Sequence, residues 1–468
     1  MSALAGVPAS GRVAHVSSIP AAGALAAVAR SVMDGGFPDS ALSAARRVLV
    51  DTVGCILAGS GEDPVRSLGV SLGGSPDGGP VPLVGVGTRA DAATAALVGG
   101  TAAVWHDYDS GDRFLGGHPA AHIVPASLAL ASTARVSGRQ VLGALVAGFE
   151  VTAMVCRATS LHPTVHPHGT WPTVGVAAAV ALLLGMDDDG VASAIEIAGS
   201  MGLATTFRTA MAGATVRNLY AGTGAAAGLV AAQAARAGMT GLADAMDDVY
   251  GMVLSGGFPA GSVQDAAPEC FEIERSYFKG HACARYLHSA LDALALALGG
   301  NQVDPATIER VEVHTYGFAA SMDDPSPRRV LAARFSLPYA LAAALVLGDT
   351  GIDAFAPPHL EDTAIGSMIA KVAVHEDPLY SAATPAERPA RVKVVTSTRT
   401  FQAEVRLPHG EPDSEPFSDA QVTEKFSKSA RRVLGDAGAA RAAEALWTVE
   451  GAEDMAEIVA RLVPGSHA

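Results

Sequence analysis

Ile308-Glu309-Arg310-Val311-Glu312-Val313-His314 sets apolar side chains against charged ones in the two-residue rhythm of a strand with one buried face. Upstream the rhythm is different. Leu25, Val28, Ala29 and Val32, then Ala41, Ala44, Val48, Val53, Ile56 and Leu57, recur at helical spacing. Ala-rich helical runs follow at 90–105, from His122 through Leu130, and at 141–158, 172–184, 190–197 and 221–235. Ser137 and Gln140 form a capping-box pattern ahead of one of them, and Pro172 sits in the tolerated first turn of another. Downstream, 392–395 and 401–407 repeat the strand rhythm across the polar turn 396–400, with helices expected at 282–298 and 335–347. Residues 419–462 return to helix. The expected fold is mainly α: a large all-α helical domain with an inserted smaller α+β lid. Its boundaries are 1–266, 267–408 for the lid, and 409–468 for C-terminal helices rejoining the first part. Residues 1–20 read as a loose arm, and 73–86 as loop with a short strand at 81–84.

A chain of 468 residues is too long for one simple core. A net charge of −15 disfavours nucleic acid and anionic membranes as partners, and makes any local cluster of Arg, Lys and His informative. The four cysteines, Cys55, Cys156, Cys270 and Cys283, include no Cys-x-x-Cys pair, which argues against a zinc ribbon, an iron–sulfur cluster or a disulfide framework. Apolar runs such as 174–184 fall short of the roughly 20 residues that a membrane span needs. No charged-then-apolar leader opens the chain. A cytoplasmic protein is expected.

Three polar gaps interrupt the helical runs. The first is Trp105-His106-Asp107-Tyr108-Asp109-Ser110-Gly111-Asp112-Arg113-Phe114-Leu115-Gly116-Gly117-His118-Pro119. It packs acids, imidazoles and glycines together, as a loop doing acid/base chemistry must; a solvated loop whose acids cap the next helix is the plainer reading. The second, 160–170, holds His162, His166 and His168, and the third, 207–218, holds Arg208 and Arg217. His118 and His122 have the i, i+4 spacing of metal ligands, yet no His-Glu-x-x-His arrangement accompanies them.

Taken together, several segments resemble the MmgE/PrpD family, whose members include 2-methylcitrate dehydratase, cis-aconitate decarboxylase and iminodisuccinate epimerase. They are Arg47-Val48-Leu49-Val50-Asp51-Thr52-Val53-Gly54, the first gap through Gly117-His118-Pro119, and His162-Pro163-Thr164 with His168-Gly169-Thr170. Arg217-Asn218-Leu219-Tyr220, Lys279 with Cys283-Ala284-Arg285-Tyr286-Leu287-His288, Phe335-Ser336-Leu337-Pro338-Tyr339, and Leu407-Pro408-His409-Gly410 with Glu424-Lys425-Phe426 complete the set. They span nearly the whole chain in the family's order.

The resemblance implies a homodimer with its site in the cleft between helical domain and lid. It also implies a small anionic polycarboxylate as substrate, with no metal or organic cofactor. The chemistry occurs at a carbon next to a carboxylate, and needs a base, an acid and cations for dianionic charge. Asp107, His118, His162 and Lys279 match the catalytic positions, with His118 and His162 as acid and base and Asp107 orienting them. Arg217, Arg208, Tyr220, His168, Arg285 and His288 are expected to contact substrate. Arg285 and His288 lie three apart and share a helix face. Two departures stand out. Position 217 is Arg where aconitate-like members carry Lys, so it offers a bidentate fork and no proton. Gly111 stands where the decarboxylase-like members have Thr. The leading expectation is a dehydratase of a 2-methylcitrate-like or alkylcitrate-like hydroxy polycarboxylate. The alternatives are an epimerase, isomerase or decarboxylase of a related acid, and a non-catalytic binding homologue.

Overall fold

Alanine and glycine decide how closely the helices of this protein approach one another. In the computed structural model, which describes residues 21–255 and 270–465, the helix Gly138–Arg157 runs through the centre of the larger core. Ser137 and Gln140 close its N-terminus with the expected capping box. It crosses the helix Trp171–Leu183 at glycines: a Cβ on Gly175 would stand 2.1 Å from the Thr152 Oγ1 and 2.4 Å from the Gly148 carbonyl oxygen. The helices Ala92–Ala103 and Val216–Arg236 meet the same way, since a Cβ on Gly222 would lie 2.2 Å from the Leu97 carbonyl oxygen. Contrary to the expectation from apolar runs, Gly138–Arg157 is long and apolar enough to cross a membrane by length and composition. However, 83% of its apolar window is buried by neighbouring helices.

The fold is mainly α. Helices Ala21–Met33, Asp39–Ser60, Ala92–Ala103, Ala120–Ala131, Gly138–Arg157, Trp171–Leu183, Asp188–Gly199 and Val216–Arg236 share one apolar core. The C-terminal helix Asp419–Trp447, broken at Gly435 where φ is 67°, packs along Asp39–Ser60 and puts Val422, Phe426 and Ala430 into that same core.

A second core gathers residues between Cys283 and Phe401, joined by Ala210. Its sheet has the order β6-β5-β7-β8. Here β5 is Ile308–Thr315, β6 Val372–Glu376, β7 Ala390–Thr396 and β8 Thr400–Val405. The pair β5–β6 is parallel, while β5–β7 and β7–β8 are antiparallel. Val311 and Val313 face inward, as their rhythm requires, and Ile308 joins them on the buried side across a register shift between Ile308 and Arg310. The edge strand β6 is half-exposed, so its alternation is weak and the sequence reading passes over it. The four remaining strands are two-residue pieces: β1 (Val81–Pro82) pairs with β2 (Arg89–Ala90), and β3 (Gly111–Asp112) with β4 (Ser276–Tyr277). The helix expected from 282 begins only at His288, because the Ala282 and Ala284 N–H groups donate instead to the Thr350 and Arg334 carbonyls. The expected arm at 1–20 and the expected boundary at 266/267 lie outside the described residues.

The glycine crossings have a measurable consequence. Gly175→Ala forces a methyl group against Thr152 and the Gly148 backbone, and is expected to destabilise the protein by about 1–3 kcal/mol or more. Urea unfolding is the check, with Gly366→Ala, which meets open space, as the control.

Candidate active site

After the helix Ala92–Ala103 the chain enters the first polar gap and at once adopts an unusual backbone. Asp107 has φ of 50°, the only positive value at a non-glycine residue among those described. Such a residue costs roughly 1–3 kcal/mol unless its surroundings hold it. Here they do. Asp107 Oδ1 accepts from Arg217 Nη2 at 2.7 Å, and Oδ2 lies 3.3 Å from Lys279 Nζ. Lys279 Nζ also donates to the Asp107 carbonyl at 2.7 Å. Just beyond, Lys425 Nζ donates to the Tyr108 carbonyl at 2.7 Å and pairs with Asp51 at 2.7 Å, while the other Asp51 oxygen accepts the Ser110 N–H at 3.1 Å. Burial opposes ionisation of Asp107, but Lys279 and then Arg217 outweigh it and hold its carboxyl below the usual range.

Two residues on, Asp109 turns to His118. Its Oδ2 lies 2.8 Å from His118 Nδ1, and the Ser110 carbonyl oxygen lies at 2.8 Å from the same nitrogen. Neither oxygen carries a hydrogen, so Nδ1 does; it donates to the Ser110 carbonyl beside the Asp109 carboxylate, and in the neutral ring Nε2 holds the lone pair. Nε2 has no hydrogen-bond partner among the described residues. Burial alone would raise the Asp109 carboxyl, but His118 more than offsets it and holds the group far down, as an anion.

His118 and Asp107 line a small cavity. His168, Arg217, Lys279, Tyr277, Arg285 and Arg388 line it with them. His168 is fully buried and neither ring nitrogen has a partner; burial and then Arg217 push it well below the ordinary histidine value, so it is neutral. His122 is spoken for: Nδ1–H donates to the His118 carbonyl at 3.0 Å and Nε2 accepts the Gly169 N–H at 3.1 Å. The i, i+4 histidine pair is therefore one imidazole at the cavity and one structural imidazole behind it. Among the described residues no group of three potential metal ligands converges.

The structure brings Asp107, His118, His168, Arg217, Lys279 and Arg285 to one cavity, and corrects the rest of the expected set. His162 is exposed and does not line it; its backbone N–H donates to the Leu254 carbonyl. The Pro-rich loop turns inward only nearer the helix Trp171–Leu183, at His166 and His168, with Gly169 at φ of 78° making the bend. Arg208 is exposed and away from the cavity. Tyr220 stands behind the wall, its hydroxyl donating to Thr209 Oγ1 at 3.2 Å and its ring edge-on to His166. His288 is buried behind Arg285, and its Nδ1 accepts from that guanidinium at 3.0 Å. Arg285 presents only its face to the cavity. All five of its N–H groups are used, on Glu411, His288 and the carbonyls of Pro408 and His409. Asp107 touches no histidine; it pairs with two cations, while Asp109 and the Ser110 carbonyl hold His118.

Three cavity features escape the sequence reading. Asp109 lies in the quoted motif, but spacing alone does not choose between it and Asp107. Arg388 follows no motif. Tyr277 is found only through Gly111: a Cβ there would lie 2.6 Å from the Tyr277 hydroxyl and 2.9 Å from the Gly117 carbonyl oxygen. The departure at position 111 thus has a steric cause. The tyrosine hydroxyl fills the space that a side chain would need.

A helical domain and a second, sheet-bearing core that share a cavity of carboxylates, imidazoles and cations define a class of acid/base site. The comparisons supply its family. The MmgE/PrpD N-terminal domain matches residues 23–258 and the MmgE/PrpD C-terminal domain matches 281–450, so the chain belongs to the MmgE/PrpD family. It is similar to the cis-aconitate decarboxylase-like protein oryM of Aspergillus oryzae (strain ATCC 42149 / RIB 40). The two are 26% identical over 466 residues, covering 90% of this chain and 93% of the relative.

The strand pairing that carries this loop contains a buried acid pair. Asp112 Oδ1 accepts the Phe114 and Leu115 N–H groups at 2.7 and 2.9 Å, while burial, and then Glu272, push its carboxyl up to about 8. The folded state therefore keeps a proton that the unfolded chain releases near 3.8. Between those values folding binds protons, so stability falls as pH rises. Asp112→Asn keeps the acceptor and removes the titration. Urea unfolding from pH 5 to 8 is expected to show a shallower decline for the variant, with Glu150, pushed up to about 7 chiefly by burial, supplying part of the residual slope.

Proposed function

We propose that this protein is a cofactor-independent lyase. It takes a proton from a carbon next to a carboxylate of a 2-methylcitrate-like or alkylcitrate-like hydroxy polycarboxylate, and expels water. The observation that carries this reading is the Asp109–His118 pair, with Nδ1 held at 2.8 Å and Nε2 left for the cavity. An imidazole fixed in that tautomer is a base, and the anionic carboxylate behind it stabilises the imidazolium formed when Nε2 takes the proton.

The other groups divide the remaining work. Lys279 donates one N–H group to the Asp107 carbonyl, lies beside the Asp107 carboxylate, and has a further N–H group for the departing hydroxyl, to which it lends a proton. Arg217 cannot do so; it secures Asp107 and adds positive charge where the substrate carboxylate becomes enolate-like. Neutral His168 donates a hydrogen bond to that same developing charge without adding a further buried cation.

A second reading, decarboxylation of a tricarboxylate, is favoured by the printed name of the Aspergillus relative. It uses the same groups in another order, because a carbanion left by departing carbon dioxide must be protonated.

Proton NMR in deuterated water separates the outcomes. With 2-methylcitrate, dehydration collapses the methyl doublet to a downfield singlet. With cis-aconitate, decarboxylation produces a terminal methylene pair. Deuterium entering iminodisuccinate without net conversion is the mark of an epimerase, and silence on all three substrates overturns the lyase reading. Asp109→Asn and His118→Gln are each expected to lower kcat by roughly 10²–10⁴-fold. Undiminished turnover in His118→Gln would remove the base assignment.

A further inference from the structure

Four cations line the cavity, and three are already paired with protein carboxylates. Arg217 and Lys279 share Asp107. Arg285 pairs with Glu411 at 2.9 Å and has no N–H group left. Arg388 differs. It is only 6% exposed, lines the cavity, and makes no ion pair among the described residues. Its single side-chain hydrogen bond runs from Nη2 to the Arg113 carbonyl at 3.2 Å. Four of its five N–H groups are therefore unclaimed. Holding a guanidinium out of water costs several kcal/mol unless an anion compensates it.

The placement of Arg388 is rigid. Its N–H donates to the Arg406 carbonyl at 3.0 Å, its carbonyl accepts from Ser289 Oγ, and the next carbonyl, of Pro389, accepts from Thr315 Oγ1 at 2.8 Å. The guanidinium lies 5.1 Å from the centroid of the Tyr286 ring. A cation–π contact supports the flat face and leaves the N–H edge available. A planar fork, fixed by its backbone and facing an enclosed cavity, matches a carboxylate in geometry and charge.

We propose that Arg388 is the specificity residue of this cavity: it binds a carboxylate of the substrate directly, and so selects acids that carry that extra carboxylate. The inference rests on the polycarboxylate reading above and deepens it. It identifies an anion-binding residue outside the three polar gaps, in the sheet-bearing part of the chain at the foot of β7.

The test is calorimetric and uses two unreactive ligands, propane-1,2,3-tricarboxylate and glutarate, which lacks the central carboxylate. The native protein is expected to bind the tricarboxylate more tightly. In Arg388→Gln that preference is expected to shrink by roughly 30-fold or more, the usual loss when one partner of a buried charge pair is removed. Arg388→Lys, which keeps the charge and loses the fork, is expected to recover only part of it. A merely structural role predicts something else: both ligands weaken together and their ratio is unchanged. An unchanged ratio in a folded Arg388→Gln overturns the assignment and leaves the lyase reading standing. If the native protein binds neither acid, the polycarboxylate reading falls and this assignment with it.

Discussion

A charge taken out of water must find another charge, and in this protein that constraint ties distant parts of the chain to one loop. Asp51 and Lys425 are both buried and stand 2.7 Å apart, one on the second helix of the chain and the other on the long C-terminal helix. Neither is tolerable alone, since an unpaired buried ion costs several kcal/mol. Together they hold the Ser110 N–H and the Tyr108 carbonyl. The pair closes the helical core across nearly the full length of the sequence, and fixes the backbone from which Asp107 and Asp109 project in different directions.

The same rule joins the two cores. Glu411 is 1% exposed and accepts from Arg113 at 2.6 Å on one side and Arg285 at 2.9 Å on the other. Arg113 belongs to the first polar gap and Arg285 precedes the first helix of the sheet-bearing core. Arg334 adds a further tie, donating to the His106 carbonyl at 2.9 Å. These bonds place Lys279, Arg285 and Arg388 in one cavity with His118. The cavity is thus a by-product of how buried charges are satisfied. Its walls are as rigid as the ion pairs behind them.

The architecture was largely legible in the sequence because it rests on periodicity. Ile308, Val311 and Val313 announce a strand, Ser137 and Gln140 a helix start, and the structure has both. Elements without a strong period were missed: β6, half-exposed at the sheet edge, and the two-residue strands β3 and β4, which long-range pairing creates. The same distinction runs through the site. Asp107, His118, Arg217 and Lys279, which line one cavity, could be singled out because motifs carry them. His162 was preferred to His168 because a loop of Pro and His has no period from which to read direction, and Gly169 alone decides where it turns. Arg285 was expected to contact substrate, and its saturation was not legible because its partners, Glu411 and the carbonyls of Pro408 and His409, lie more than a hundred residues away.

Gly111 and Arg217 show what such tertiary constraints do to a family pattern. Read position by position, both look like losses, a hydroxyl gone and a proton donor replaced. In space each is a substitution with a partner. The Tyr277 hydroxyl, from β4, occupies the volume that a side chain at 111 would require. The longer, planar side chain at 217 reaches Asp107 at 2.7 Å while passing over Phe335, whose ring centroid is 5.6 Å away. Asp107 then keeps its unusual backbone although the expected lysine is gone. Both positions act on the same polar loop, Gly111 by admitting the Tyr277 hydroxyl and Arg217 by holding Asp107, so each is legible only through a partner far away in the sequence.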